Sequence, residues 1–308
     1  MRIGVVELDT SHPQNWIPIE RKLGHEVVGV WDEGAIRPKA FVAEFARDLE
    51  VPKVFRSFDE MIPEIDCAIF HSCNWDIHVE RARPFVEAGK PMLIDKPIAG
   101  KVRDLEELRE WVRGGARICG GSSLRFCQES GDWWARPVEE RGTPITAICG
   151  CGTDEFNYGI HAYALLSSVI GPGIQSVQHL CGEEQRRIAV TWNDGRVGIL
   201  VIGTNGVWLP FHATIITEKT VAQYQVDSSR IYESLLRAVL PYLAGETDTP
   251  PIPFDALIEP ELCAIAALRS KKQGGRVVLL SELPDDDEGY DGAAFAAEYR
   301  KIRNPKGE

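Results

Sequence analysis

No apolar run in this 308-residue sequence approaches the ~18–20 residues of a membrane-spanning helix. No basic region leads into an apolar signal core at its start either, since Met1–Leu8 already reads as a strand. Positive charge is short: Lys and Arg total 34 against 46 Asp and Glu, a formal net charge of −12. Nothing here neutralises a phosphate track, which excludes nucleic acid as a partner. Paired cysteine spacing is also missing. The eight cysteines (67, 73, 119, 127, 149, 151, 181, 263) lie in or beside apolar runs, and Cys149-Gly-Cys151 alone is a poor zinc signal. They read as reduced core or near-core residues, no metal is expected, and the expected compartment is the cytoplasm. There is no internal repeat and no low-complexity segment. What remains, 44% hydrophobic and 26% charged residues, is an ordinary globular composition with length enough for two domains.

The first half alternates strands and helices. Strands are expected at Arg2–Leu8, Glu26–Trp31, Val54-Phe55, Ile65–Phe70, Met92–Ile94 and Ile118-Cys119. Between them come helical patterns from Pro13 to Leu23, Ala40–Leu49, Ile77–Ala88 and Val102–Val112, with a helical turn at Asp59–Pro63. Such alternation predicts a Rossmann-like, doubly wound parallel sheet over residues 1–122. After Arg125 the pattern changes to hairpin spacing. Strands are expected at Ile145–Cys149, Ser176–Leu180, Arg187–Trp192, Val197–Ile202, Leu209–Thr217 and Val221–Val226, with Asn193-Asp-Gly195 and Glu218-Lys219 as tight turns. Helices at Tyr158–Ile170, Arg230–Ala244 and Ala256–Ser270, a strand at Val277–Leu280 and a last helix at Ala293–Ile302 complete an α+β domain over 123–308 with an open, mostly antiparallel sheet. The overall class is α/β.

Two places carry chemistry. Lys96 follows the buried run Met92–Ile94, at the carboxyl end of a strand where open α/β sheets bind ligands. Its ammonium there suits a substrate hydroxyl, with Asp95 as a charge partner; an ordinary surface lysine beside a strand-end turn is the alternative. Asn157 stands at a capping position and His161 four residues on, after the flexible Gly150-Cys-Gly152. An imidazole at a helix start suits general acid–base work near neutral pH, and a half-buried helix histidine is the alternative.

Four features together resemble one family: Ala88-Gly-Lys90 before Asp95-Lys-Pro97; Asn74 and His78 opening the preceding helix; Gly150-x-Gly152 leading to Asn157-Tyr-Gly-Ile-His161; and Ala267-Leu-Arg-Ser270 with Gly274 and Val277–Leu280. The sequence resembles the glucose–fructose oxidoreductase, inositol dehydrogenase and rhizopine-catabolism (Gfo/Idh/MocA) family over about residues 1–282. The resemblance implies an NAD- or NADP-dependent oxidoreductase of sugars, inositols or related polyols, forming a homodimer or larger homo-oligomer through its C-terminal sheet. It makes Lys96 and His161 the catalytic pair, with Asn157 where many members carry an aspartate. Glu7, Asp9, Thr10, Ser11, His12, Asp32, Ser72, Asn74, His78, Asp95, Lys96 and Pro97 would border the cofactor.

The sequence departs from that family where the dinucleotide fingerprint G-x-G-x-x-G should follow the first strand. Its glycine positions hold Glu7, Asp9 and His12, so pyrophosphate would meet two carboxylates and cofactor binding is expected to be weak. Asp32 keeps the position of the ribose-binding acid that favours NAD over NADP, and a simple turn or cap residue is the alternative. Two other functions therefore compete: a binding or regulatory homologue without cofactor-driven chemistry, and a non-redox activity in which Glu7, Asp9 and His12 make a polar or metal site.

Overall fold

The computed structural model describes residues 1–181, 184–305 and 307; nothing is said of the side chain of Cys181. The first unit runs β1 (Arg2–Val6), α1 (His12–Lys22), β2 (Glu26–Trp31), α2 (Phe41–Asp48), α3 (Phe58–Met61), β3 (Cys67–Phe70), α4 (His78–Glu87), β4 (Met92–Asp95), α5 (Val102–Arg113) and β5 (Ile118–Gly121). All pairings are parallel, in the order β2-β1-β3-β4-β5. Apart from Arg2 and Glu26 at the exposed starts and Asp95 at the end of β4, the strands are apolar because both faces are covered. Val54 makes only an isolated bridge to Val30, so Val54-Phe55 is no strand of this sheet.

The chain then forms α6 (Gln128–Ala135) and α7 (Val138–Arg141), short helices whose sequence lacks an apolar period. It continues through β6 (Pro144–Cys151), α8 (Ile160–Ile170), β7 (Ile174–Cys181), β8 (Gln185–Trp192), β9 (Val197–Gly203), β10 (His212–Thr217) and β11 (Val221–Gln225). α9 (Ile231–Leu243), α10 (Phe254–Lys272), β12 (Val278–Leu279) and α11 (Gly292–Arg303) close it. The expected strand Val277–Leu280 shrinks to two residues because a 3-10 turn starts at Leu280. Seven strands order as β11-β10-β6-β9-β8-β7-β12, with β6 and β9 parallel and the other neighbours antiparallel. One face packs on α8 and α10 through Tyr163, Leu166, Cys263 and Ala267.

The two units interlock. α9 lays Leu235, Leu236, Val239 and Leu240 against Ile3, Val5, Ile69 and Leu93 of the first sheet. Ile98 and Ile118 pack against Ile258 and Ile265 of α10. These contacts bury the helix faces that amphipathic spacing provides and fix the start of α8 opposite the carboxyl ends of β3, β4 and β5. The cysteines other than Cys181 are buried and free.

Candidate active site

A cleft of about 470 Å³ opens between these elements, bordered by Thr10, Ser11, His12, Cys73, Lys96, Asn157 and His161 on its polar side and by Tyr158, Trp208, Phe211 and Tyr232 as aromatic walls. Lys96 is only 8% exposed and donates from Nζ to Asn157 O at 3.0 Å and to Asn157 Oδ1 at 3.1 Å. An ammonium has three protons, so one is left for a ligand. Burial lowers the Lys96 pKa against the upward pull of Asp95. Asn157 is not the expected cap of α8, whose N-cap is Gly159. Asp154 Oδ1 gathers Phe156 N and Tyr158 N, the helix starts later, and the Asn157 amide turns to Lys96.

His161 sits in the first turn of α8, its Nδ1 2.7 Å from Ser122 Oγ. That oxygen also accepts Leu124 N at 3.2 Å, and a hydroxyl partner suits either imidazole tautomer. Burial first, then the nearby Lys96 ammonium and His12, hold the His161 pKa well below its usual value, so the ring is neutral at pH 7.

Asp95 does not pair with the Lys96 ammonium. Its Oδ1 accepts the Lys96 backbone N–H at 2.7 Å, and its Oδ2 is shared by His12 Nδ1 and His71 Nδ1, the latter at 3.2 Å. Burial opposes its charge, but His12, then His71, win and hold its pKa well below the carboxylate range. The His12 ring stacks on Trp16 at 5.4 Å and meets the edge of Tyr232 at 5.0 Å.

Of the other expected residues, Thr10 and Ser11 reach the cleft, whereas Ser72, His78 and Pro97 do not line it. His78 is fully buried and bridges Ile98 O at 2.8 Å and Ser72 O at 3.1 Å, tying the loops after β4 and β3 together. Asn74 caps a 3-10 turn by accepting Asp76 N at 3.1 Å.

The other end of the same sheet edge is closed. Glu7 takes a φ of 68°, the left-handed turn that glycine normally serves. It is buried and pairs with Arg81 at 2.7 Å, while Arg81 also reaches Glu33. Asp9 accepts Cys73 N at 2.8 Å. Asp32, expected to meet a ribose, instead accepts Leu8 N at 2.8 Å and Gly34 N at 2.6 Å. Glu7, Asp9 and Asp32 place carboxylate oxygens within 4.8 Å of one another, so Asp32 rather than His12 joins the first two. Burial and this mutual repulsion push Glu7 well up and Asp9 up to about 6.

α11 covers this end. Asp291 caps it through Ala294 N at 2.8 Å, and Asp76 Oδ2 accepts Gly292 N at 3.0 Å and Ala293 N at 3.3 Å. Two carboxylates thus satisfy orphan donors at the helix start. Ala296, Phe295 and Tyr299 pack on Ile36 and Cys73, bridging the loops after β2 and β3, and Phe295 lies 5.2 Å from the Trp75 ring.

Residues 1–120 match the sequence profile of a family described as "Oxidoreductase family, NAD-binding Rossmann fold" (GFO_IDH_MocA). Among solved structures, a probable dehydrogenase from Thermotoga maritima superposes with a TM-score of 0.78 at 15% identity, covering 92% of this chain and 100% of that one. This is a Gfo/Idh/MocA oxidoreductase fold. The myo-inositol dehydrogenase of Lactobacillus casei, solved with NAD(H) and myo-inositol, matches with a TM-score of 0.76 at 16% identity over 91% of this chain and 96% of that one. The UDP-N-acetylglucosamine 3-dehydrogenase of Acidithiobacillus ferrooxidans does so with 0.72 at 15% identity over 88% and 97%. No curated protein matches the sequence.

In a fold of the Gfo/Idh/MocA type the dinucleotide crosses the carboxyl ends of the first strands, with its pyrophosphate on the first helix. The residues present do not fit that group while α11 is docked. Phe295 and Tyr299 pack over Ile36 and Cys73, Asp9 Oδ1 is buried without a partner among the described residues, His12 N is taken by Thr10 Oγ1 at 3.1 Å, and Pro13 has no N–H. His71, Arg81, Ser122 and the whole of α11 are participants that sequence reading missed. Only His71 had a local signal, being the residue that directly follows an apolar strand.

Proposed function

We propose that this chain is an oxidoreductase of CH–OH groups on a sugar, inositol or related polyol, with NAD or NADP as the hydride acceptor. One observation carries it: Lys96 and His161, from opposite units, border a single cleft whose other walls are mainly aromatic rings and hydroxyls, with Cys73, Asn157, Ile231 and Arg303 among them. Such a lining suits a ring-shaped polyol, with its apolar faces on Tyr158 and Phe211 and its oxygens on the polar side. A nicotinamide cofactor would supply the hydride acceptor. Lys96 uses its uncommitted proton to hold the reacting oxygen and favour its anion, Asn157 fixes the ammonium, and His161 exchanges the hydroxyl proton with Ser122 behind it. Because the docked helix covers the groove, cofactor entry requires α11 to leave the sheet edge.

The test is calorimetric NADH and NADPH titration of the full chain, together with a screen of inositols and sugars for reduced-cofactor formation. Turnover on a polyol is expected; saturable polyol binding without dinucleotide binding would replace this reading by that of a binding protein. The covered groove and the carboxylates beside it favour that second reading.

The resemblance also carries the proposal that a second copy covers the outer face of the seven-stranded sheet. Ile148, Ile199, Val201 and Ile216 lie on the side turned away from the helices, with Ile148 beside Ile199 in register. Light scattering should give an even-numbered assembly that Ile199→Glu reduces to monomer; a monomeric parent chain would rule this interface out.

A further inference from the structure

We infer that His12, oriented by Asp95, is the base of a redox-neutral proton transfer in this cleft, removing the proton from the carbon next to the carbonyl of a polyhydroxylated ketone or aldehyde. The substrate class rests on the polyol reading above, but the cofactor does not enter.

The two cleft imidazoles are backed by different groups. His161 leans on a hydroxyl, Ser122 Oγ, which serves either tautomer. His12 leans on a fully buried carboxylate that accepts from its Nδ1, so in the neutral ring the lone pair lies on Nε2. Nε2 has no partner among the described residues and is not sealed from the cleft that His12 borders. Trp16 and Tyr232 hold the ring plane. A carboxylate behind an imidazole also stabilises the imidazolium that forms once a proton is taken. The same Asp95 accepts the backbone N–H of Lys96, so base and ammonium are positioned by one group.

The chemistry closes without an oxidant. His12 Nε2 takes the proton from carbon, and the C–H pair becomes the C=C bond of an enediol. The carbonyl π pair moves to oxygen, which the Lys96 ammonium stabilises and protonates, while the neutral His161 ring hydrogen-bonds the substrate. His12 then returns its proton to the former carbonyl carbon while the neighbouring hydroxyl gives its proton back to Lys96 and becomes the new carbonyl, which gives the isomer. No electrons leave the substrate, so the reaction runs with α11 docked over the dinucleotide groove.

The test uses the full chain, freed of nucleotide, in D2O with 2-keto-myo-inositol and separately with fructose, following loss of the proton next to the carbonyl by NMR. Exchange well above the buffer rate is expected with at least one probe. It should fall by about 100-fold or more in His12→Gly, and millimolar imidazole should restore it by filling the vacated slot. Circular dichroism and thermal melting establish that the variant is folded, and His12→Gln supplies a second variant with the slot filled. Exchange at the buffer rate with both probes, or parental exchange in folded His12→Gln, overturns the inference. So does a folded His12→Gly that imidazole fails to rescue. Polyol-dependent NADH formation without any cofactor-free exchange would leave the oxidoreductase reading standing and remove only this one.

Discussion

Two ends of one sheet edge treat buried charge in opposite ways. Around Asp95 a single carboxylate is answered by two imidazoles and a backbone N–H, and the groups it orients open onto a cleft. Around Glu7 three carboxylates lie within 4.8 Å, Arg81 is the cation paired with Glu7, and α11 closes the top. The first end keeps donors and a lone pair for a ligand. The second spends its hydrogen-bonding capacity on its own backbone: Leu8, Gly34 and Cys73 take the carboxylate oxygens. The fold is the same at both ends, so ligand capacity follows from which polar groups are already satisfied within the chain.

The strongest way to break this comparison is at the open end. Lys96→Ala or His161→Ala should lower turnover by about 10²–10⁴-fold while the melting temperature stays close to the parent's. Full activity in either variant, measured as kcat on the best polyol, would show that the open end is not the reaction site.

The closed end is probed next by Arg81→Met, which strands Glu7 as a buried carboxylate without its cation. A loss of about 3–5 kcal/mol in chemical denaturation is expected, and a change below about 1 kcal/mol would mean that Glu7 is held neutral by other means.

Removing residues 292–308 should sharpen the contrast by uncovering the groove. NADH affinity is expected to rise by about tenfold or more, a change of ~1.4 kcal/mol. The milder variant Gly292→Ala acts in the same direction, because a Cβ there would lie 2.7 Å from Asn74 Oδ1 and 2.9 Å from Asp76 N. Equal affinity in the parent and truncated chains would show that the carboxylates, not the helix, govern access.

A pH effect comes last. The Asp9 pKa rises from 3.8 to about 6 on folding, chiefly through burial. A raised carboxyl pKa means that the folded state holds the proton more tightly, so this contribution to stability is present below the unfolded pKa and lost as pH climbs through about 6. Asp9→Asn should therefore gain on the parent by roughly 1–3 kcal/mol between pH 4 and pH 8, read as the difference between denaturation curves at the two pH values. A constant difference across that range would contradict the burial argument.

How far all this could be read in the sequence depends on the distance over which partners act. The strand–helix alternation, Val54-Phe55 aside, the hairpins from β7 onward, Lys96 at the end of β4 and His161 at the start of α8 are local patterns that the structure keeps, while α6 and α7 come between Arg125 and the second sheet. The Asn193-Asp-Gly195 turn joins β8 to β9 for the same reason. The partners of Asp95 are not local: His12 is 83 positions away and His71 is 24. Arg81 meets Glu7 from the far side of a crossover helix, and nothing in the spacing of α4 marks it as the counter-ion. The capping role given to Asn157 fails because Asp154, three residues earlier, competes for the same backbone donors. α11 was legible as a helix but not in its position, because its docking rests on Asp76 and Trp75, more than two hundred residues upstream.

The placement of α11 makes the chain its own competitor. A helix tethered to the protein it covers acts at an effective concentration set by its linker, of millimolar order for short tethers, and dilution does not remove it. If docking is worth ~3 kcal/mol, the groove is open in under about 1% of molecules, and a dinucleotide sees an affinity about 160-fold weaker than the open groove offers. The carboxylates then need supply only part of the discrimination against nucleotide. A nucleotide assay on this protein therefore measures the opening equilibrium of the helix together with the contacts made in the groove.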